Sequence, residues 1–446
     1  MTDRRVVTSR RRVAVVGSGV AGLTAAHVLQ KAADVTLFEA DDRLGGHAHT
    51  HDVEDANGRL VQVDTGFIVH NERTYPTLLR LFAELGVATQ ESDMSMSVRC
   101  AGCGLEYAGA RGVGGLFPDP RRLRDPKYLR MLGEVVRFHR RARAVLAAPA
   151  ADKGAGDEGG GDEGAGDEAD AGQTLAQFLA AGRFSPYFVG HFMTPLVSAV
   201  WSCAPDVAGQ YPARYLFTFL ANHGMLSVTG SPAWRTVVGG SARYVELAAK
   251  SLSAVHTSSA IKSVTRTDDG VDVTEVDGDT HHFDAVVLAT HPDQALRLRP
   301  DATALERDVL GAFTYSRNPT ALHTDPSVLP RAERAQASWN YYLPSCHSGA
   351  QQVHVTYDMT RLQNLDTPTR YLVTLNEDGS VDPAAVLDRM DYQHPIFTTE
   401  SVAAQERLPQ LNDGRIAYAG AYHGWGFHED GARSGVAAAA SLGVTW

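Results

Sequence analysis

The chain has 446 residues, of which 43% are hydrophobic and 21% are charged, a composition typical of a globular protein large enough for two domains. The formal net charge is −11, but residues 151–170 carry −7 of it, so the rest of the chain is nearly neutral. Such a chain offers no general positive field to a phosphate backbone, which excludes nucleic acid as a partner.

The cysteines and the N-terminus indicate a cytoplasmic protein. Four cysteines are too few for a disulfide framework and fit a reducing compartment. The arginines before Val13 are followed by a strand-like segment rather than the apolar core of a signal peptide, and no apolar run is long enough to span a bilayer.

Cys100 and Cys103 form a C-x-x-C pair. A zinc site would want a second pair, whereas Cys203 and Cys346 stand singly and far apart. We interpret the pair as part of a glycine-rich turn with incidental thiols and expect no metal site.

The first elements in chain order predict a βαβ unit. Residues 12–16 and 34–38 have the apolar runs of buried strands, and residues 20–30 between them have the pattern of a helix. Two more helices are predicted over residues 72–85 and 126–146.

The second half of the chain begins after an acidic tract. Residues 151–172 contain no apolar residue larger than alanine, so we expect a disordered surface insertion there. Beyond it the sequence predicts several strands, and then a strand, a glycine-rich turn and an alanine-rich helix over residues 415–440. The predicted strands cover residues 261–264, 271–276, 285–289, 352–357 and 371–375.

The run Gly17-Ser18-Gly19-Val20-Ala21-Gly22 is a G-x-G-x-x-G motif between the first predicted strand and helix. Its glycines permit a tight turn, a close approach of backbone to a pyrophosphate, and close packing of helix on strand. Glu39 ends the second strand 20 residues after Gly19, where a carboxylate accepts hydrogen bonds from the adenosine ribose. The strand, the helix and the acid stand at the spacing of a dinucleotide-binding site, and this pattern fits NAD and FAD equally.

Further stretches favour FAD: Arg43-Leu-Gly45-Gly46, Asp64-Thr65-Gly66-Phe67, Ala417-Tyr-Ala-Gly420 and Glu429-Asp-Gly-Ala-Arg-Ser-Gly435. With these, the chain resembles the amine-oxidase-like FAD-dependent oxidoreductase superfamily, which includes monoamine oxidases, protoporphyrinogen oxidase and phytoene desaturases. Within it, the chain is most similar to a bacterial subgroup of NAD/FAD-binding proteins associated with cyclopropane-fatty-acid-synthase-like methyltransferases. The resemblance covers nearly the whole chain except the acidic tract, and its more specific pieces are residues 64–76, 337–341 and 426–431.

The resemblance implies an α/β fold with a Rossmann-type FAD-binding domain (GR2-like) assembled from discontinuous segments, and a mixed α+β substrate domain. The expected parts are 10–95, 236–298 and 411–446 for the FAD-binding domain, 96–235 for a substrate or helical region, and 299–410 for the substrate-domain sheet.

The resemblance also implies non-covalent FAD and a set of residues that hold it. Those residues are Gly17, Ser18, Gly19, Val20, Ala21, Gly22, Glu39, Ala40, Arg43, Gly45, Gly46, Thr65, Gly66, Phe67, Val264, Ala289, Thr290, Gly420, Glu429, Asp430, Gly431, Ala432 and Ser434. Among them, Gly431, Ala432 and Ser434 would begin the C-terminal helix, whose positive end would face the flavin.

Two departures from the family pattern bear on the chemistry. Many relatives have Gly-Glu or Gly-Asp where this chain has Gly420-Ala421. Amine oxidases often use a lysine that holds a water beside flavin N5, and no lysine occurs from Ser263 to Trp446. An amine oxidase mechanism of that kind is therefore disfavoured.

The regions expected to line the substrate pocket are rich in aromatic and poor in acidic residues. As a set they suit an apolar chain or ring, while an aromatic cage for an ammonium group and ordinary core packing are the alternatives. These rings are Phe184, Tyr187, Phe188, Phe192, Trp201, Tyr215, Phe217, Phe219, Trp234, Trp339, Tyr341 and Tyr342.

Tyr341 and His423 are the candidate catalytic residues, because each stands in a conspicuous loop expected near the flavin. A histidine there can accept a proton when hydride leaves the substrate. A structural hydrogen bond is the alternative for each histidine of that loop, and hydride transfer depends mainly on positioning.

Residues 121–143 carry a local charge of +7 on a predicted helix with an apolar face. This pattern is typical of an amphipathic helix on an anionic membrane, and a solvated helix packed on its own domain is the alternative. We therefore expect a cytoplasmic protein, and contact with the inner face of the membrane is one of the two alternatives for this helix.

Three functions follow, in order of preference. The first is an FAD-dependent oxidoreductase that dehydrogenates or desaturates an apolar small molecule or a modified fatty acyl chain. The second is a flavin amine oxidase. The third is a flavin-binding accessory subunit of a lipid methyltransferase.

Overall fold

The computed structural model of the protein describes residues 10–149, 173–227, 230–346 and 352–446, and the predicted acidic insertion lies outside them. The strands in these ranges are β1 (Arg11–Val16), β2 (Ala33–Phe38), β3 (Thr50–Glu54), β4 (Leu60–Asp64), β5 (His70–Asn71), β6 (Thr89–Glu91), β7 (Met96–Cys100), β8 (Leu105–Ala108), β9 (Trp234–Val237), β10 (Ala254–His256), β11 (Ile261–Arg266), β12 (Val271–Glu275), β13 (Thr280–Phe283), β14 (Ala285–Leu288), β15 (Thr314–His323), β16 (Trp339–Leu343), β17 (Val355–Asp358), β18 (Leu372–Leu375), β19 (Val386–Ile396) and β20 (Ile416–Tyr418).

The α-helices in the same ranges are α1 (Val20–Leu29), α2 (Pro76–Leu85), α3 (Gly112–Leu116), α4 (Pro126–Ala147), α5 (Leu175–Ala181), α6 (Pro186–Phe188), α7 (Thr194–Trp201), α8 (Pro205–Ala208), α9 (Ala213–Asn222), α10 (Ala242–Ala249), α11 (Pro292–Leu298), α12 (Ala304–Gly311), α13 (Met359–Leu362), α14 (Thr399–Gln405) and α15 (His428–Ser441). None of these helices is both long enough and apolar enough to cross a membrane.

A five-stranded parallel sheet with the order β10-β2-β1-β14-β20 carries the dinucleotide motif. Val13–Val16 and Ala285–Leu288 are buried throughout, as expected of strands covered on both faces. Its strands come from three separated stretches of sequence, within residues 10–95, 236–298 and 411–446. This is a Rossmann-type domain, and the α/β prediction is confirmed.

Helix α15 packs closely against α1, beside the edge of this sheet at which the strands end. A side chain on Gly435 would overlap the carbonyl oxygen of Ala21, and one on Gly431 would lie 2.6 Å from Val20 Cγ1. Small residues on α15 therefore bring the two helix axes together and fix where the N-terminus of α15 points.

A second, seven-stranded sheet has the order β19-β15-β18-β17-β16-β7-β8 and is antiparallel except at the β16–β7 pair. It shares one apolar core with the helices between α4 and α9. At the centre of those helices, the rings of Phe138, Phe178 and Phe217 lie between 4.7 and 6.1 Å apart, centroid to centroid. This sheet and these helices form the mixed α+β substrate domain.

One predicted boundary differs from the structure for a local reason. The helix predicted over residues 72–85 begins only at Pro76. The side-chain oxygen of Asn71 accepts hydrogen bonds from the backbone N–H groups of Arg73 and Thr74, at 3.0 and 2.9 Å. This turn occupies the residues before Pro76, whose fixed φ suits the first helical position.

Candidate active site

The glycine-rich loop joins β1 to α1 as the motif predicts. Gly17 has a φ of +100°, which disfavours any residue with a side chain, and a Cβ there would also lie 2.7 Å from the carbonyl oxygen of Ala289. A Cβ on Gly22 would overlap the carbonyl oxygen of Gly17, so Gly22 lets helix pack on strand. Gly19 has no neighbour within 4 Å of a built Cβ and borders open space.

Glu39 ties the loop to the end of β2. Its carboxylate accepts hydrogen bonds from the backbone N–H of Ser18 at 2.9 Å, from the Ser18 hydroxyl, and from the backbone N–H of Asp41 at 3.1 Å. The Ser18 oxygen in turn accepts from the backbone N–H of Gly45 at 3.0 Å. These bonds position the acid and the Gly45-Gly46 turn around the N-terminus of α1.

A cavity of about 830 Å³, which we call the nucleotide cavity, lies at this edge of the parallel sheet. More than half of the residues implied to bind the cofactor line it: Gly17, Ser18, Gly19, Val20, Ala21, Glu39, Ala40, Arg43, Gly46, Ala289, Thr290 and Gly420. The structure thus brings together residues from three distant parts of the chain.

Several implied residues lie behind this lining and support it. Besides Gly22, these are Gly45, Gly431, Ala432 and Ser434. The Ser434 hydroxyl accepts from the backbone N–H of Gly420 at 2.9 Å and donates to the carbonyl oxygen of Gly431 at 2.7 Å. This pair of bonds holds the turn after β20 against α15.

Three other implied residues have different partners in the structure. Val264 is buried in the core below β11, and residues 259–262 line the cavity in its place. Glu429 accepts hydrogen bonds from the N–H groups that begin α2, and Asp430 accepts from the backbone N–H of Phe427 and pairs with Arg433. Neither acid lines the nucleotide cavity.

A second cavity of about 170 Å³, which we call the aromatic cavity, adjoins the first. Four of the five tryptophans of the chain line it, together with the implied residues Thr65, Gly66 and Phe67. No aspartate, glutamate, lysine or arginine is among the described residues of its lining. The tryptophans are Trp201, Trp234, Trp339 and Trp425.

The two cavities share a boundary formed by six residues, His47, Tyr392, His394, Pro395, Gly426 and His428. Asn318 donates a hydrogen bond to Nδ1 of His394 at 2.8 Å, so Nε2 carries the proton of the neutral ring and can donate to Nε2 of His47 at 3.2 Å. The ring of His428 stacks on Phe67 with 3.6 Å between centroids.

Burial keeps these histidines uncharged near neutral pH. It lowers the pKa of His394 to about 4 and the pKa of His428 to about 3, and it holds the pKa of His47 well below its usual range. The nearby histidines add to the effect because two protonated rings would repel. The boundary therefore presents neutral imidazoles.

Tyr392 is held at the same boundary by two short contacts. Its hydroxyl lies 2.6 Å from the Thr65 hydroxyl and 2.9 Å from Nδ1 of His49. Burial raises the pKa of Tyr392 to about 12, so the phenol stays protonated. Thr65 thus positions the phenol of Tyr392 at the boundary between the two cavities.

The two residues predicted to be catalytic lie outside both cavities. Tyr341 is 2% exposed within the core under the seven-stranded sheet. His423 follows Tyr422, which does line the nucleotide cavity, but its own ring does not, and burial lowers its pKa to about 4. The structure does not bring either side chain to the boundary.

Sequence reasoning missed His47, Tyr392 and His394. One signal was present: His47, His49 and His51 alternate directly after Gly46, at the spacing of one face of a strand. Nothing in the sequence links them to β19, because the pairing of His47 with His394 joins positions 347 residues apart.

The loop, the acid and the strand order define a dinucleotide-binding fold, and a largely apolar cavity adjoins its nucleotide cavity. Residues 20–323, more than half of the chain, match the family of flavin containing amine oxidoreductases. The chain belongs to this family, and FAD is its cofactor.

Among curated proteins, the L-amino-acid oxidase of Pseudechis australis is 40% identical over 85 residues, which are 19% of this chain and 16% of that protein. This chain therefore matches well under two thirds of the length of such relatives. A cofactor-binding redesign of putrescine oxidase superposes with a TM-score of 0.67 at 16% identity, over 97% of this chain and 98% of that one. A fatty acid isomerase from P. acnes that produces CLA superposes with a TM-score of 0.64 at 17% identity, over 95% and 97%. Both structures show the shared fold.

The residues of the nucleotide cavity fit a flavin dinucleotide. Gly19 leaves room where a side chain would project into the cavity. Nη1 of Arg43 and Nε2 of His428 are buried, belong to lining residues and have no hydrogen-bond partner among the described residues. Buried polar atoms are rarely left unpaired, and a bound diphosphate and ring system would supply partners.

Proposed function

We propose that the protein oxidises an apolar substrate, specifically a fatty acyl chain, by removing a hydride and a proton from neighbouring carbons. The observation that carries this proposal is the composition of the aromatic cavity. Its described lining has four tryptophans and no aspartate, glutamate, lysine or arginine. Ligand pockets of this composition bind apolar groups and fix them with a few polar contacts.

A charged substrate would be costly in this cavity. An ammonium or carboxylate removed from water requires a partner, because the desolvation of an unpaired ion costs several kcal/mol or more. The described lining supplies neither a carboxylate for an amine nor a guanidinium for an amino acid. An aliphatic segment has no such requirement.

Two of the lining tryptophans have indole N–H groups without a partner in the described part of the chain. The indole nitrogens of Trp339 and Trp425 are buried and have no partner among the described residues, although buried tryptophan N–H groups usually find one. A substrate with an oxygen acceptor, such as the carbonyl of an acyl group, would satisfy them. The aromatic cavity has about the volume of six water molecules. It can therefore hold the part of an acyl chain around the reacting carbons, but not the whole chain.

Bound FAD supplies the hydride acceptor, flavin N5. The side chains of the boundary exclude water and hold the substrate against the cofactor. The proton lost from the substrate needs an acceptor at the same place, and Nε2 of His428 is unpaired there. None of the four cysteines lines either cavity, which supports non-covalent FAD.

The test is anaerobic bleaching of the flavin absorbance in the purified protein. Phospholipids with acyl chains should reduce the flavin, and a panel of primary amines and amino acids should not. Ala199→Phe, which fills the aromatic cavity, should abolish the reduction and keep the bound flavin. Bleaching by amines alone would overturn the acyl proposal.

An amine oxidase activity is the second candidate, and family membership favours it. Tryptophan faces can hold an ammonium without a carboxylate, at about 2 kcal/mol or more when desolvated. The amine arm of the same experiment decides between the two. A lipid-modifying methyltransferase stays a predicted partner, and it would be required if flavin reduction by lipid occurred only when both proteins were present.

A further inference from the structure

A group of four side chains, which we call the thiol cluster, lies away from both cavities. It consists of Cys100, Cys103, His191 and Cys346, and one ligand atom from each lies within 4.8 Å of all the others. The C-x-x-C pair is thus completed by two residues that are far away in the sequence, a histidine and a single cysteine.

The spacing within the thiol cluster suits a tetrahedral metal site. With metal–sulfur and metal–nitrogen bonds of about 2.3 and 2.0 Å, the edges of a zinc tetrahedron are about 3.8 Å between two sulfurs and about 3.5 Å between sulfur and nitrogen. Sγ of Cys100 lies 3.7 Å from Sγ of Cys346, and Sγ of Cys103 lies 3.6 Å from Nε2 of His191. Both distances agree with those edges.

The turn between β7 and β8 supplies the first two ligands. Cys100 ends β7, Cys103 follows in the turn, and Leu105 begins β8. The turn places the two sulfurs within 4.8 Å of each other. Cysteine binds metals as the thiolate.

The third cysteine is brought in by a close approach of two backbones. A Cβ on Gly102 would lie 2.8 Å from the backbone nitrogen of Cys346 and 3.3 Å from its sulfur. Only glycine leaves room for the segment after β16 to reach the turn. Gly102 therefore allows Cys346 to approach the two cysteines of the turn.

His191 is oriented as a metal ligand should be. It lies in a single π-helical turn, Val189–Met193, of a kind frequent at functional sites. Its Nδ1 donates to the carbonyl oxygen of Tyr187 at 3.1 Å, and its ring stacks on Tyr187 with 4.1 Å between centroids. The lone pair of a neutral ring is then on Nε2, which faces Cys103.

Two basic residues compensate the charge that three thiolates would carry. Arg122 donates to the carbonyl oxygen of Cys103 at 2.7 Å and interacts electrostatically with its sulfur, and Lys127 interacts with Cys346. Three thiolates and Zn²⁺ together carry a single negative charge.

We propose that Cys100, Cys103, His191 and Cys346 bind one Zn²⁺ in a closed, structural Cys₃His site. Binding releases the thiol protons to solvent and leaves no open coordination position, so the ion joins three segments of the substrate domain instead of reacting. This departs from the sequence-based expectation of no metal site, which looked for a second C-x-x-C pair. A disulfide between Cys100 and Cys346 is the competing state, and it would need the sulfurs at about 2.05 Å.

The test measures metal in the full-length flavoprotein purified from zinc-supplemented medium. Elemental analysis should find one zinc per chain. Cys103→Ser should lower this to below about a tenth of an equivalent, whereas Cys203→Ser, a buried cysteine outside the thiol cluster, should keep the full equivalent. The flavin spectrum reports that each variant is folded, and activity is not needed as a readout.

A second measurement keeps the proposal testable if Cys103→Ser does not fold. Wild-type protein grown with cobalt should show the absorption bands of tetrahedral, thiolate-bound Co²⁺ in the red, beyond the flavin bands. Wild-type protein free of zinc and cobalt, or one with a Cys100–Cys346 disulfide in non-reducing mass spectrometry, would overturn the proposal.

Discussion

Gly19 and Gly22 stand three positions apart in one motif, yet the space around them differs. A methyl group at position 19 meets no protein atom within 4 Å but enters the nucleotide cavity, while one at position 22 overlaps the Gly17 carbonyl. We expect Gly19→Ala to weaken FAD binding by about tenfold or more and to leave the stability of the FAD-free protein within about 0.5 kcal/mol. Gly22→Ala should cost about 3 kcal/mol of unfolding free energy even without FAD.

Urea unfolding of the FAD-free proteins and flavin content after gel filtration separate these effects. Gly133→Ala, at an exposed position inside α4 with nothing within 4 Å, is the control and should stabilise by about 0.5 kcal/mol. Equal losses of stability in the Gly19 and Gly22 variants would contradict the assignment.

His428 and His423 test which histidine of the C-terminal loop serves the reaction. His428 lines both cavities and has an unpaired Nε2, whereas His423 lines neither. His428→Phe keeps the stack on Phe67 and should lower the rate of flavin reduction by about 10²-fold or more, with FAD still bound. His423→Phe should lower it far less, and the reverse order, measured by stopped-flow absorbance, would favour the sequence-based candidate.

At the scale of elements, α15 caps another helix. Tyr75, which precedes α2, offers no side-chain cap, and the Glu429 carboxylate accepts instead from the N–H groups of Thr77 and Leu78, at 3.0 to 3.1 Å. Glu429→Ala should lower the unfolding free energy by about 1–2 kcal/mol and leave the flavin spectrum unchanged. Glu406→Ala, at an exposed position, is the control, and a changed spectrum in Glu429→Ala would instead indicate a role at the cofactor.

This contact also shows how far the sequence could predict the fold and the site. Local signals suffice to predict α15 itself, since an alanine-rich stretch after a glycine-rich turn is typical of a helix. They also suffice for the β1–α1 loop, because the spacing of its glycines is typical of a dinucleotide-binding site. The partner of Glu429 lies some 350 residues away, and so does the partner of His47. Side-chain pairs of that kind depend on how the strands and helices assemble, which no local pattern encodes.

At the scale of the whole molecule, buried histidines should make stability depend on pH. Burial lowers the pKa of six of them to about 3 or 4, so below pH 6.5 the unfolded chain binds protons that the folded chain does not, and stability falls until about pH 4. These are His49, His70, His323, His394, His423 and His428. Asp64 and Asp430, whose pKa values burial raises to about 6, oppose the trend but are fewer.

Urea unfolding at pH 7.5, 6.5 and 5 should therefore show a loss of several kcal/mol, up to about 1.4 kcal/mol per pH unit for each histidine. His323 lines neither cavity, and its Nε2 lies 2.8 Å from the Thr374 hydroxyl. The glutamine of His323→Gln can still donate and accept hydrogen bonds, but it does not titrate. This variant should therefore reduce the slope of unfolding free energy against pH by the contribution of one histidine. An unchanged slope would mean that His323 is not held neutral by the fold.

We expect the basic helix α4 to place the protein on a membrane surface, where the proposed acyl substrate is found. Most of its apolar side chains face the core, but Leu129 is 42% and Val136 is 60% exposed, and the two are seven residues apart on one face of α4. Exposed basic residues flank them, among them Lys127 and Arg130. We expect the protein to sediment with anionic vesicles, and less so at high salt.

A double variant, Leu129→Ser with Val136→Ser, should weaken that binding by about tenfold, because each side chain buries only part of its area in the interface. Val276→Ser with Leu387→Ser removes two side chains of similar exposure, 64% and 48%, elsewhere on the surface and should bind as the wild type does. Equal binding to zwitterionic and anionic vesicles, or equal losses in both double variants, would show that α4 is an ordinary solvated helix. The acyl substrate would then have to reach the aromatic cavity without contact between this helix and a membrane.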